Sequence, residues 1–176
     1  MHKGDGIMSE DKNIECERKF LIKYPDVDAL RKKQGCRVLE ISQTYLLCAD
    51  GSMRVRKTVS DGSAEYFRNI KKRITDMSGY EDEKLISEET YSELLLCADS
   101  ERKTIEKTRY AFPYLDHIIE VDVYPFWNDR AVFEVELGSE DEEFGIPSDL
   151  EIIKEVTSDK RYSNRALAKE IVTEDF

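Results

Sequence analysis

Charges two residues apart recur along this chain. Glu15, Glu17 and Lys19 alternate within Ile-Glu-Cys-Glu-Arg-Lys-Phe-Leu-Ile, residues 14–22. Arg54 and Arg56, Glu81 and Glu83, Lys107 and Arg109, Glu120 and Asp122, and Glu134 and Glu136 repeat the spacing. In an extended strand successive side chains point to opposite faces, so each pair shares one face. The other face is apolar: Ile14, Cys16, Phe20 and Ile22 with Arg18 among them, then Ile119, Val121 and Val123, then Phe133, Val135 and Leu137. One such strand reads as an amphipathic strand with its polar side in water. Six in one sheet would set like charges against each other across neighbouring strands. Closing the sheet with that face inward makes a charged tunnel. Charges so enclosed need to pair or to hold ions. Clustered carboxylates offer the hard oxygens that suit Mg²⁺ or Mn²⁺. Basic pairs suit phosphate oxygens, with Arg as a bidentate fork. Both in one cavity imply a metal-bound polyphosphate.

At 176 residues the chain is long enough for one domain with a substantial core. A net charge of -11 argues against nucleic acid and against anionic membranes as partners. It also means that bases which hold a polyanion are concentrated locally. Cys16, Cys36, Cys48 and Cys97 form no C-x-x-C pair, which predicts reduced packing residues and a cytosolic compartment. The polar first residues argue against a signal peptide, and no apolar run approaches membrane-spanning length. Residues 1–12 are expected to be a disordered extension before a single domain over 13–176. Either a monomer or a homodimer fits these features.

Eight strands are expected to position the charged pairs. The first covers 13–23, and Pro25-Asp26 opens a short helix. Cys36 to Cys48 forms the second strand, turned by Ala49-Asp50-Gly51 into the Arg54/Arg56 strand. Asp61-Gly62 turns the chain again, into a strand near 65–72 with Phe67, Asn69 and Lys71 on one face. A turn near Ser78-Gly79 leads to Glu81 and Glu83. Ser87 caps a helix through Ala98. Strands follow over 101–112, 116–126 and 130–138. The acidic stretch 139–143 reads as a solvated connector, 147–156 as a short irregular or helical segment, and Tyr162 to Val172 as a closing helix with Ala166, Leu167 and Ile171 inward. The architecture predicted is α+β, a closed eight-stranded antiparallel β-barrel with a few covering helices.

In these residues the chain resembles the CYTH family, the triphosphate tunnel metalloenzymes. Its E-x-E-x-K opening is matched by Glu15, Glu17 and Lys19. The similarity continues through Arg54 and Arg56, Lys71, Glu81 and Glu83, Lys107 and Arg109, Asp122, Glu134 and Glu136, and the segment from Glu155 to Asn164. The resemblance implies a tunnel that hydrolyses or rearranges triphosphates with a divalent metal. It implies phosphate contacts from Lys19, Arg54, Arg56, Lys71, Lys107, Arg109 and Arg161, and metal ligands among Glu15, Glu17, Asp122, Glu134 and Glu136. It casts Glu15, Glu17, Lys19, Glu134 and Glu136 as the catalytic set. Glu81 and Glu83 would orient basic neighbours or bind a second metal. The chain departs from the pattern at Gly79, where many short bacterial members carry Arg. Either one phosphate contact is missing there, or Arg73 or Lys72 supplies it.

Phosphoryl transfer needs positioning and charge neutralisation more than covalent help. The reading that follows is hydrolysis of inorganic tripolyphosphate, with Mg²⁺ or Mn²⁺ as cofactor. Thiamine triphosphatase, a class IV-type adenylate cyclase and a non-catalytic polyphosphate or nucleotide sensor are the alternatives. The His-Phe pair that such cyclases carry before the Glu signature is absent. A pure anion binder would gain nothing from five carboxylates in its cavity. No phosphate-binding Gly-rich loop or nucleophile elbow occurs, and His2 and His117 read as surface residues. Tyr45, Tyr110 and Tyr124 read as wall or core. Trp127 marks either a mouth or a loop anchor.

Overall fold

The computed structural model describes residues 14–48 and 52–176. The expected N-terminal extension and the Ala49-Asp50-Gly51 turn lie outside the described residues. The described residues form nine strands: β1 (Ile14–Lys23), β2 (Arg37–Leu46), β3 (Ser52–Ser60), β4 (Ser63–Arg73), β5 (Ser78–Ile86), β6 (Ile105–Tyr114), β7 (His117–Val123), β8 (Arg130–Leu137) and β9 (Ile152–Glu155). They hydrogen-bond in the order β5-β4-β3-β2-β6-β7-β8-β1-β9, and β5 also pairs with β1. The first eight therefore form a closed antiparallel barrel. Three helices lie outside or across it: α1 (Val27–Arg31), α2 (Glu88–Leu95) and α3 (Asn164–Leu167).

Alternation decides the two faces, and the apolar face buries itself outward. Phe20 and Ile22 of β1, Tyr110 and Phe112 of β6, Ile119 and Val121 of β7, and Phe133 and Val135 of β8 form one cluster outside the barrel. Leu30 of α1, Leu150 and Phe144 cover it. Each buried side chain of this size stabilises the fold by ~1.5–3 kcal/mol. On the opposite wall Tyr91 of α2 covers Leu46 and Val55. Local capping follows the sequence. Asp26 accepts from the Asp28 and Ala29 backbone amides at 3.0 Å each, and Ser87 Oγ accepts from Thr90 at 3.1 Å. Asp61 (φ 51°) and Gly62 (φ 77°) make the two-residue turn between β3 and β4, where glycine adopts the left-handed conformation without strain.

Three segments differ from the sequence expectation. Residues 152–155, expected irregular or helical, form β9. β5 pairs with β1 only over Ser78–Tyr80, opposite Ile14–Cys16. β9 takes the same edge of β1 further on, from Phe20 to Ile22. The closing helix is shorter than its apolar spacing suggests, a 3₁₀ turn at Lys160–Tyr162 followed by the four residues of α3. Leu167 is buried as expected, but Ile171 is exposed. This segment crosses one end of the barrel. There Tyr162, Leu167 and Ala168 pack on Leu21, Tyr45, Ile105 and Val132, inward-facing residues of β1, β2, β6 and β8, and on Tyr124 just past β7. Trp127 is a loop anchor, its indole N–H donating to the Val172 carbonyl at 2.9 Å. The acidic stretch after β8 is not merely solvated. Glu140 accepts from the hydroxyls of Thr75 and Ser78 on the β4–β5 turn, and Glu142 accepts from the Gly138 amide and pairs with His117 at 2.8 Å.

Candidate active site

The barrel encloses a cavity of about 620 Å³. Its wall holds Glu15, Glu17 and Lys19 from β1, Arg54 and Arg56 from β3, Lys71 from β4, Glu81 and Glu83 from β5, Lys107 and Arg109 from β6, Glu120 from β7, and Glu134 and Glu136 from β8. Alternation thus delivers nearly every charged pair of the sequence to one space.

The register then decides which charges meet. Lys19 lies directly across from Glu134 and bonds it at 2.7 Å. Arg109 bonds the other oxygen of Glu134 at 2.6 Å, Asp122 at 2.6 Å, and Glu120 as well. Lys107 holds the second oxygen of Asp122. Across the barrel Arg54 bonds Glu81 at 3.1 Å and Arg56 bonds Glu83 at 2.9 Å. Lys71 sits between Glu15, Glu17 and Glu81 at 3.5, 3.6 and 3.4 Å. The cavity is therefore almost internally neutralised. Burial alone would push Glu134 up, but Lys19, Arg109 and Lys107 hold it well below the usual carboxylate range. Asp122 is lowered by Arg109 and Lys107 against the same burial. Lys107 moves the other way, pulled down by burial and by Arg109.

Two of the expected roles meet a different geometry. Asp122, expected among the metal ligands, is fully buried behind the cavity surface with both oxygens taken by Lys107 and Arg109. Arg161, expected on phosphate, is 57% exposed and pairs with Asp159 and Glu174. Its neighbour Lys160 lines the cavity instead, with Arg165 and Arg73. In the 3₁₀ turn adjacent residues diverge, and residue identity alone does not say which one faces inward. At Gly79 a Cβ would lie 3.1 Å from the Lys72 backbone carbonyl, a tight approach, and 3.5 Å from Lys71 Cε, an ordinary contact. Of the two stand-ins, Arg73 lines the cavity; Lys72 is not among the lining residues. Glu120, Asn69 and Gln43 were not singled out in advance as site residues. Their inward parity on β7, β4 and β2 was the available signal.

Two observations bear on ligands. Arg54 and Arg56 line the cavity with 17% and 20% of their side chains exposed, the part an anion's oxygens can reach, while their Nε atoms are buried with no acceptor among the described residues. Glu17 and Glu136 lie directly opposite one another on β1 and β8, and Glu136 has no cationic partner among the described residues. Like charges so placed repel unless a cation joins them. Hard carboxylate oxygens on Glu15, Glu17 and Glu136 fit a divalent ion chemically. Among the described residues no three donors already stand close enough to chelate one. Lys71 is interleaved among them.

Glu15 and Glu81 share one proton. Burial and the hydrogen bond to Glu81 push Glu15 up to about 8. Glu81 remains ionised down to about 2, because the Glu15 hydrogen bond, Arg54 and Lys71 outweigh its burial. The folded state therefore holds an extra proton on Glu15 at pH values where the unfolded chain, titrating near 4.5, has lost it. Stability from that proton is complete below the unfolded value and drains as pH rises through the folded one. The melting temperature in metal-free buffer is expected to fall between about pH 5 and pH 8 and to level off above, and Glu15→Gln is expected to flatten that slope. An unchanged slope in the variant would mean that another group carries the proton.

A closed antiparallel barrel whose inner wall interleaves bases and carboxylates around a central cavity is a tunnel protein for a multiply charged anion. The chain is 33% identical over 160 residues to an inorganic triphosphatase of Nitrosomonas europaea, covering 89% of this chain and 98% of that relative. The crystal structure of an inorganic triphosphatase matches it with a TM-score of 0.53 at 32% identity, over 89% of this chain and 95% of that one. A conserved hypothetical protein of Pyrococcus furiosus, 22% identical with a TM-score of 0.55 over 72% of this chain and 80% of that one, shares the fold. No family model matches. The chain belongs to the CYTH family, the triphosphate tunnel metalloenzymes.

Proposed function

We propose that this chain is a divalent-metal-dependent hydrolase of inorganic tripolyphosphate, acting through a single domain over residues 13–176. The observation that carries the reading is the cavity wall itself. Five bases (Lys19, Arg54, Arg56, Lys71 and Arg109) face one space, each seated on a carboxylate. Phosphate oxygens would spread their charge over several of these cations, as the transition state of phosphoryl transfer requires.

Lys19 and Arg109, held from either side of Glu134, orient one phosphate. Arg54 and Arg56, held by Glu81 and Glu83, orient another across the cavity. Water attacks the terminal phosphorus in line. A new P–O bond forms as the bridging P–O bond breaks, and the electron pair leaves with pyrophosphate. Glu15, Glu17 and Glu136 are the residues that would hold Mg²⁺ or Mn²⁺, which when bound lowers the pKa of a water and neutralises phosphate charge. Asp122 and Glu134 keep the bases in place. The tunnel roof at Tyr162 and Leu167 excludes bulk water from that end. The four cysteines are free, in keeping with a reduced, cytosolic compartment.

The test is phosphate release from tripolyphosphate, ATP and thiamine triphosphate, side by side, with Mg²⁺, Mn²⁺ and EDTA. Fast metal-dependent release from tripolyphosphate with slow ATP turnover is the expected outcome. Tight binding without release from any of the three would make the protein a sensor.

A further inference from the structure

Asn69 lies in the middle of β4, faces inward and is 0% exposed. Its amide nitrogen donates to Glu81 Oε1 at 2.6 Å and to Glu83 Oε2 at 2.5 Å. A primary amide has two hydrogens, and here each has its own carboxylate. The same two oxygens receive the arginines: Glu81 Oε1 from Arg54 Nη2 at 3.1 Å, Glu83 Oε2 from Arg56 Nη2 at 2.9 Å. Asn69 is thus the shared pivot of two parallel arms, Asn69–Glu81–Arg54 and Asn69–Glu83–Arg56. Register supports the arrangement, since Asn69 stands directly across from Arg54 on β3 and from Glu83 on β5.

Stability alone does not explain this residue. The Oδ1 of Asn69 is buried with no partner among the described residues, a costly condition. Its neighbours Arg54 and Arg56 leave their Nε atoms buried and unpaired as well. An apolar residue beside fewer charges would fold more cheaply. Aspartate at this position would set a third carboxylate against Glu81 and Glu83 in place of the N–H groups they now accept. Local costs of this kind collect where function fixes the geometry.

We propose that Asn69 is a positioning residue for triphosphate binding, locking Glu81 and Glu83 so that Arg54 and Arg56 present their guanidinium groups as one fixed pair. The proposal rests on the triphosphatase reading of the same cavity and adds a residue that does not itself touch substrate.

The experiment is calorimetric binding of the non-hydrolysable imidotriphosphate with Mg²⁺, on the full chain, for wild type, Asn69→Leu, Arg56→Ala and the double variant. Asn69→Leu keeps the side chain's size and removes both donors. Its dissociation constant is expected to rise about tenfold, the scale of a lost hydrogen bond to a charged group. In the Arg56→Ala background the same change is expected to cost about threefold or less, because one arm is already gone. A packing defect would give equal losses in both backgrounds and overturn the proposal, as would unchanged affinity in Asn69→Leu. Should Asn69→Leu fail to fold by thermal melting, Asn69→Thr carries the test with one donor left and an intermediate loss expected. Wild type failing to bind imidotriphosphate would defeat the triphosphatase reading itself. Tight wild-type binding with an indifferent variant would defeat only the role of Asn69.

Discussion

Replacing Arg109 by Ala is expected to lower the melting temperature by on the order of 10 °C. Arg109 is the central cation of the β6–β7–β8 wall. It bonds Asp122, Glu120 and Glu134, and Asp122 is fully buried. Removing it leaves three carboxylates with only Lys107 and Lys19 between them. Breaking a buried ion pair from one side costs ~3–5 kcal/mol, because the other charge stays buried and unpaired. For a chain of this size each kcal/mol shifts the midpoint by ~2–4 °C. Arg56→Ala is the control. Its partner Glu83 is 37% exposed at the side chain, so that pair is worth ~1 kcal/mol or less. Thermal melts of the two variants in the same metal-free buffer decide the matter. Equal shifts would show that the wall does not depend on its central guanidinium.

The second large effect separates two glutamates that the sequence presents as equivalent. Glu134 and Glu136 stand two apart on β8 and face the same cavity. Glu134 is committed to Lys19 and Arg109, whereas Glu136 has no basic partner among the described residues and looks across at Glu17. Glu136→Gln is expected to leave the melting temperature within a degree or two. It should weaken Mg²⁺ activation at least ~100-fold, since even residues that only orient a metal ligand are worth ~10–100-fold. Glu134→Gln is expected to lose stability and tripolyphosphate affinity, with the Mg²⁺ activation midpoint little changed. Initial rates over a Mg²⁺ titration, with melts alongside, give both answers. A shifted Mg²⁺ midpoint in Glu134→Gln and not in Glu136→Gln would reverse the assignment. The interleaving of Lys71 with Glu15 and Glu17 adds a corollary. A triphosphate that draws Lys71 away frees those acids, so Mg²⁺ is expected to bind more tightly with tripolyphosphate present than without it.

Much of the site was legible because alternation is strict. Which of Arg54, Lys71 or Glu134 faces inward follows from parity alone. What each charge is used for does not, since it depends on pairing between strands far apart in sequence. Nothing local to Asp122 says that Lys107 and Arg109 will take both its oxygens, and nothing near Glu136 says that it will stand opposite another glutamate, Glu17. β9 was missed because four residues carry too little periodicity, and its partner β1 lies at the other end of the chain. Arg161 was misplaced because a 3₁₀ turn separates neighbours that a plain helix reading groups together. Glu140 looked like solvent-facing charge; its partners Thr75 and Ser78 lie on a turn that is remote in sequence.

The way β1 closes the barrel has a kinetic consequence. β2 through β5 are consecutive hairpins, and β6 through β8 form a second meander; both can assemble from local contacts. β1 cannot. Its neighbours are β8, β5 and β9, all far downstream. As the chain leaves the ribosome, most of β1 waits for β8, with which it shares its longest register, until residues 130–137 have been made. Loop-closure entropy makes such pairing late and slow. The charges at alternate positions of β1 serve a second purpose during that wait. They make it a poor template for edge-to-edge aggregation, so the residues that later line the cavity also guard the nascent chain.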